Sequence, residues 1–471
     1  MSKIIDAIPL PPVYYHATDT SYWRADEKNS WIKINETAAK NFITDQGYCK
    51  TATATGANSE VERCMMGVQS NHNVVYVGPL AGYAAGVRDM AGNLVLITSG
   101  PNLIEAKSGQ WPTLDKLFAS LFVDSELDQR PYFYGWLKSA RDSLKHSRWK
   151  ASQLLAMAGP VGSGKSLTQN LITEMLGGRS TKPYQFMMGQ TAFNSHMFRG
   201  EHQMLEDENE SIDIRSRRQF AGNIKTIITN MNQNCHGKNR EALTLQPVWR
   251  MTLSLNDDPE RLLVLPPFDA DVRDKIIVLK ANKATMPMPT QTAEEEEKFW
   301  RKLVSELPAF LAFIEQYQVP VALQDSRYGI AAFQHPEIVE KVQETTPEMK
   351  LLELIDTGLW FGEVNQDQWE GTAAVLEKKL VRENSQVSYE ARRLLHWNNA
   401  TGSYLARLRD STAEQAKGRV TSRKVQGSTV WTIAPVVKEA VPAVGAAPVA
   451  PAGIRPCLPP PMPAELRKMV K

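Results

Sequence analysis

The sequence predicts an α/β protein: a parallel sheet with flanking helices, preceded by a small α+β module and followed by a helical lid and a winged-helix-like domain. Three observations carry this expectation. The apolar run "SQLLAMA" leads into "GPVGSGKS" and then into "SLTQNLITEMLGG", which sets Leu167, Leu171, Ile172 and Met175 at helical spacing before a Gly-Gly stop. Further strand-length apolar runs recur downstream, in "PVWRMTLSL" and "KIIVLKA". Near the C-terminus, helix-sized periodic pieces precede "RVTSRKVQGSTVWTI", which reads as two strands around a Gln-Gly turn.

Taken in order, residues 1–125 mix short apolar runs such as "NVVYVGPLAGYAAGV" and "NLVLIT" with turn-rich segments and carry no catalytic constellation. The aromatic cluster "YYHATDTSYW" fits a strand packed into a core better than a base-stacking surface. Residues 126–283 open with the helix-like "PYFYGWLKSARDSLKHSRWKASQ" and hold the glycine-rich loop; "YQFMMG" is the expected second strand. Residues 284–344 pass from the linker "ATMPMPTQTAEEEE" into the periodic "KFWRKLVSELPAFLAFIEQY", a helical lid. Residues 345–434 form the winged-helix-like unit, and the Ala- and Pro-rich stretch 435–471 is expected to be disordered.

The loop carries the chemistry. Gly159, Gly164, Lys165 and Ser166 fill the pattern G-x-x-x-x-G-K-[ST]. Glycines let backbone N–H groups converge on phosphate oxygens, the lysine neutralises phosphate charge, and the serine hydroxyl helps hold Mg²⁺. The expected nucleotide-binding residues are Gly159, Pro160, Val161, Gly162, Ser163, Gly164, Lys165, Ser166 and Leu167, with ATP and Mg²⁺ as cofactors. A magnesium nucleotide site also needs one carboxylate for the metal and one to orient the attacking water, roles that Asp207 and Glu208 in "LEDENES" fit; an exposed acidic turn is the alternative. Asn256, ending the alternating strand "PVWRMTLSL", suits a γ-phosphate or water contact, against an ordinary turn former. Arg273, just before "DKIIVLKA", suits phosphoryl-charge stabilisation, against a surface ion pair with Asp271 or Asp274.

In that order, "GPVGSGKS", "LEDE", "KTII" with "HGKN", "SLND" and "DVRDK" resemble the successive motifs of superfamily 3 helicase domains of the AAA+ class, in particular those of phage and mobile-element primase-helicase proteins. The resemblance spans residues 128–282 and, more loosely, "DSRYGIAAFQHPEI" after them. It implies a P-loop AAA+ ATPase core, with Asp207 and Glu208 as the Walker B pair, Asn256 as sensor 1 and Arg273 as an arginine finger serving the neighbouring subunit. It further implies a DNA-contacting hairpin in the motif that holds Lys225 and Lys238. The polar stretch before Asp207 departs from the family pattern, and no attached primase or polymerase is evident. Independently of the family, "HGKN" is turn-prone between polar arms, so His236 and Lys238 are expected at a loop tip, with ordinary surface charge as the competing explanation.

A second DNA-binding candidate is "NNATGSYLARLRD", with Thr401 or Ser403 near a helix cap and Tyr404, Arg407 and Arg409 exposed beyond it; such units also serve as protein adaptors. The formal net charge of +2 means that any nucleic-acid surface must come from local clustering. Cys49, Cys64, Cys235 and Cys457 are scattered without C-x-x-C spacing, which argues against zinc ribbons and a disulfide framework. No apolar stretch approaches the ~20 residues that cross a bilayer, and no signal-peptide core is visible, so a cytoplasmic protein is expected, and the resemblance to phage proteins implies the cytoplasm of a bacterial host. The functional expectation is an ATP-dependent replicative DNA helicase acting on single-stranded and forked DNA as a homo-hexamer, with a separate primase or polymerase and no membrane partner. An AAA+ ATPase that remodels or loads protein partners, and an initiator using ATP as an assembly switch, are the alternatives.

Overall fold

The computed structural model describes residues 10–28, 30–90, 92–125, 127–206, 214–238, 240–266, 270–344, 346–360, 367–411 and 415–435. The apolar run before the glycine loop becomes the strand Leu154–Ala158, buried at every residue. It belongs to a parallel five-stranded sheet with the order Ile276–Lys280, Leu154–Ala158, Arg250–Leu255, His202–Glu206, Ser180–Thr181. Counted along the chain, the spatial order is 5-1-4-3-2. Helices cover the sheet: Ala293–Gln316 packs on Pro112–Phe122, Arg130–Lys145 and Lys165–Met175, and their apolar faces share one core with the strands.

Two expectations are corrected. The stretch Arg250–Leu255 is buried throughout rather than alternating, because a parallel strand inside a sheet covered on both faces has no solvent side. "YQFMMG" is not the second strand; Tyr184–Met187 is a short helix, and the strand is Ser180–Thr181. Tyr184, Met187 and Met188 are buried, and their spacing of three and four is helical.

The glutamate run starts a helix, as its composition suggests. Thr292 and Glu295 form a reciprocal capping box, and Glu294, Glu295 and Glu296 sit in the positive first turn of Ala293–Gln316. The Gly-Gly stop also works as read: Gly177 (φ 109°) and Gly178 (φ 78°) turn the chain out of Lys165–Met175, and Gly178 N–H donates to the Thr173 carbonyl.

Two smaller cores flank the main one. Val13–His16, Ser21–Ala25 and Trp31–Ile34 form an antiparallel sheet whose Val13 and Tyr22 pack with Ala39, Ile43, Val61 and Val68 from helices Glu36–Asp45 and Glu60–Asn71. At the other end, helices Pro347–Trp360, Ala373–Leu380, Ser388–Leu394 and Ala400–Arg409 pack with a three-stranded sheet ordered Trp369–Thr372, Ser428–Ile433, Val420–Val425. The last two strands meet at Gln426 (φ 45°) and Gly427 (φ 83°), two left-handed residues as a tight hairpin turn requires. Among the described residues, no helix is long and apolar enough to cross a membrane.

Candidate nucleotide site and nucleic-acid surfaces

The glycine loop leaves the sheet at its C-terminal edge, where strand-end ligands sit in open α/β sheets. Gly159 N–H donates to the Leu255 carbonyl at 3.2 Å, and a Cβ on Gly159 would stand 2.0 Å from the Ala281 carbonyl oxygen. Only glycine fits between these two neighbouring strands. Gly162 (φ 73°) and Gly164 (φ 98°) adopt left-handed conformations, and the helix Lys165–Met175 starts immediately after the second. Val161 is 77% exposed at the loop's tip and Pro160 and Ser166 are exposed, whereas Ser163 is buried.

The loop curls around its own lysine. Lys165 Nζ donates to the carbonyls of Gly159 and Pro160, both at 2.7 Å, and to Ser163 Oγ at 3.2 Å. Burial pushes the Lys165 ammonium pKa down, and Asp257 opposes that shift. A desolvated cation beside a helix N-terminus is a strong attractor for phosphate.

Asn256 follows Leu255, which pairs with Ala158, so it leaves the sheet beside the glycine loop. The next residue, Asp257, pairs with Lys341 at 2.8 Å on the helix Pro336–Glu344. The neighbouring strand ends at Glu206, paired with Ser254 and bonded to Lys182 at 2.8 Å; Asp207 and Glu208 lie outside the described residues.

The polar stretch before them is a buried strand that hydrogen bonds satisfy. His202 Nδ1 lies 2.7 Å from Thr173 Oγ1 and its Nε2 2.8 Å from Thr252 Oγ1. Gln169 Nε2 donates to Thr252 Oγ1 at 2.9 Å and to the Leu205 carbonyl at 3.1 Å, and Gln203 Nε2 donates to the Met197 and Gly200 carbonyls. Burial pushes the His202 imidazole down to about 3, so it is neutral. This network ties the helix after the glycine loop to two strands. Sequence reading missed it because the bonds that join helix to strands link positions 29 to 83 apart.

Arg273 ends the short helix Ala270–Arg273 and is exposed. Its Nε donates to Gln334 Oε1 at 3.4 Å, and Gln334 Nε2 donates to the Arg273 and Ile276 carbonyls at 2.8 and 2.7 Å. Asp274, one of the two carboxylates considered for a local ion pair, is engaged by Lys275 at 2.7 Å and Tyr328 Oη at 3.1 Å; the Asp271 side chain is outside the described residues. Arg273 precedes the strand whose last residue, Lys280, pairs with Ala158. The strand's length, about 15 Å, therefore separates it from its own glycine loop.

The expected hairpin is present: Gln233–Cys235 pairs antiparallel with Leu243–Leu245. Lys238 is exposed at its tip. His236 is half-buried, its N–H donating to Asn194 Oδ1 at 2.7 Å and its ring 5.2 Å from that of Phe193. Phe193, 39% exposed, is a surface aromatic that sequence reading did not single out. Lys225 sits on the helix Ile214–Thr229 rather than on the hairpin.

In the C-terminal unit the expected exposure of Tyr404 is corrected. It is 5% exposed, packs edge-on against Trp397 and accepts a hydrogen bond from the Trp397 indole at 3.3 Å. It falls on the face of Ala400–Arg409 that also buries Ala400, Thr401, Leu405 and Leu408. Thr401 donates to Glu377 at 2.7 Å instead of capping; the cap position is Asn399. Arg407 and Arg409 are exposed, Arg407 lying 5.8 Å from the Tyr404 ring and Arg409 bonding Asp410 at 2.8 Å.

The fold resembles that of the C-terminal region of NrS-1. One apo structure of that region aligns with a TM-score of 0.52 at 12% identity, covering 90% of this chain and 96% of that one. A second aligns with a TM-score of 0.50 at 15% identity and the same coverage. A further match, to the JCV helicase, covers 49% of this chain and 64% of that one at 14% identity with a TM-score of 0.22. Residues 157–272 match a family of unknown function, DUF5906. No curated protein matches the sequence.

Proposed function

We propose that this chain is an ATP-driven ring motor of the superfamily 3, AAA+ kind that translocates on DNA and unwinds it. The observation that carries the proposal is the sheet order 5-1-4-3-2, in which the strand entering the glycine loop has the Asn256 strand on one side and the strand led by Arg273 on the other. The loop fits a triphosphate: its glycines hold backbone shapes that a Cβ would fill or strain, and a desolvated lysine stands at a helix start. Gly159 to Leu167 would hold ATP, and Ser166 with Asp207 would hold Mg²⁺. Bound magnesium ATP supplies the phosphoryl bond whose hydrolysis drives movement.

In this reading Lys165 leaves the Gly159 and Pro160 carbonyls to meet phosphate oxygens, Glu208 orients the attacking water, and Asn256 positions it. Arg273 is too far from its own loop to serve it and acts on a neighbour's, which makes the ring, most simply a hexamer, part of the mechanism. Lys238 and His236 at the hairpin tip follow the DNA backbone, and Arg407 and Arg409 add duplex contacts. The C-terminal unit, residues 345–434, is read as a winged helix: its sheet order of first, last, middle and its closing hairpin support this. The remaining divisions, an accessory module 1–125, an ATPase unit 126–283 and a lid 284–344, belong to the same proposal, as does a separate primase or polymerase. The test is ATP hydrolysis with and without single-stranded DNA. The motor reading expects severalfold stimulation, and hydrolysis indifferent to DNA counts against it.

A further inference from the structure

Among the described residues, three aromatic side chains stand out as exposed: Phe193, Tyr389 and Trp397. Phe193 lies against the hairpin tip. The other two lie within nine residues of each other in the C-terminal unit, on and just after the helix Ser388–Leu394. Tyr389 is 73% exposed, and the Arg393 guanidinium stands 5.8 Å from its ring centre, within cation–π range. Trp397 is 39% exposed, yet its indole is fixed from below by Tyr404 through the edge contact and the N–H to Oη hydrogen bond.

We propose that Tyr389, Arg393 and Trp397 form a stacking site for unpaired bases of single-stranded DNA. Each of the two rings leaves a face open to solvent, with Trp397 held in place by Tyr404, and such a π-face can stack on any base. The segment that carries the site is basic: residues 373–410 hold seven Lys and Arg against three Glu and one Asp, and the adjoining helix Ala373–Leu380 exposes Lys378 and Lys379. A protein-docking patch has depleted charge at its centre. Duplex is the poorer ligand, because its bases are already stacked on one another. The site lies outside the nucleotide loop and the hairpin, and it gives Tyr404 a role that its burial allows, as the support of Trp397. The inference rests on the DNA-motor reading.

The test uses the full chain and a fluorescein-labelled oligo-dT, with a duplex of equal length as the control. Tyr389→Ala and Trp397→Ala should each weaken single-strand binding by about fivefold to a hundredfold, leaving duplex binding within about twofold. Tyr389→Phe, which keeps the ring, should bind like the parent. Since Tyr389 is exposed, its replacement should also leave the thermal midpoint unchanged. Unchanged oligo-dT binding by Tyr389→Ala overturns the site alone, as does an equal loss for duplex or for Tyr389→Phe. So does a change in oligomeric mass with DNA affinity intact, which would mark a protein-docking surface. A parent chain that binds no oligo-dT overturns the motor reading and the site together.

Discussion

Gln334 clasps Arg273 at two points, its amide nitrogen donating to the Arg273 carbonyl at 2.8 Å and its amide oxygen accepting from Nε at 3.4 Å. The arginine is thereby held at the start of the sheet's edge strand, away from its own glycine loop and facing solvent. This placement is the one that the proposed trans role requires.

Arg273→Ala should bind nucleotide with unchanged affinity and lose hydrolysis by about 10³-fold or more, the scale of arginine-finger effects in phosphoryl transfer. Mixing it with Lys165→Ala should restore part of the activity, because some interfaces then pair an intact loop with an intact finger. Steady-state ATPase of the mixture checks this. A mixture that stays inactive although mixed oligomers form removes the trans role.

Gly159→Ala and Gly162→Ala should differ. The added Cβ at 159 meets the Ala281 carbonyl at 2.0 Å and must displace an adjacent strand, whereas at 162 it meets nothing within 4 Å and costs only the left-handed backbone, about 1–2 kcal/mol. Thermal melts and nucleotide titration should show Gly159→Ala losing both stability and binding heavily, with Gly162→Ala losing no more than about 1–2 kcal/mol of stability.

Thr252→Val keeps shape and removes the hydroxyl shared by His202 and Gln169. Two buried polar groups lose a partner, which should cost roughly 1–3 kcal/mol each in chemical denaturation. An effect under about 0.5 kcal/mol would mean that the network does not tie helix to strands.

His202 also sets an acid sensitivity. Its folded-state pKa of about 3 lies below the ordinary 6.5, so the unfolded chain binds the proton first, and the stability it contributes is lost as pH falls from 6.5 towards 3. His202→Gln should flatten that part of the stability curve relative to the parent. Parallel curves would contradict the neutral buried imidazole.

The glycine loop, its strand and its helix were legible because local rules determine them: the phosphate pattern needs those residues in that order, and helical spacing runs unbroken to Gly177. The hairpin at 233–245 and the closing hairpin at Gln426 and Gly427 were legible for the same reason. What escaped depended on distant partners. The strand His202–Glu206 reads as polar until Thr173 and Thr252 supply its hydrogen bonds. Tyr404 reads as exposed until Trp397 is seen lying on it, and Pro183 followed by buried residues at helical spacing turned an expected strand into Tyr184–Met187.

If ATP hydrolysis at the 159–167 loop drives strand separation, the chain should displace a labelled strand from forked DNA with ATP and Mg²⁺. The parent chain should displace the strand, whereas Lys165→Ala, and the parent without Mg²⁺, should not. A parent chain that hydrolyses ATP on DNA yet never releases the strand, or a Lys165→Ala variant that releases it as fast as the parent, would mean that hydrolysis at this loop does not drive strand separation.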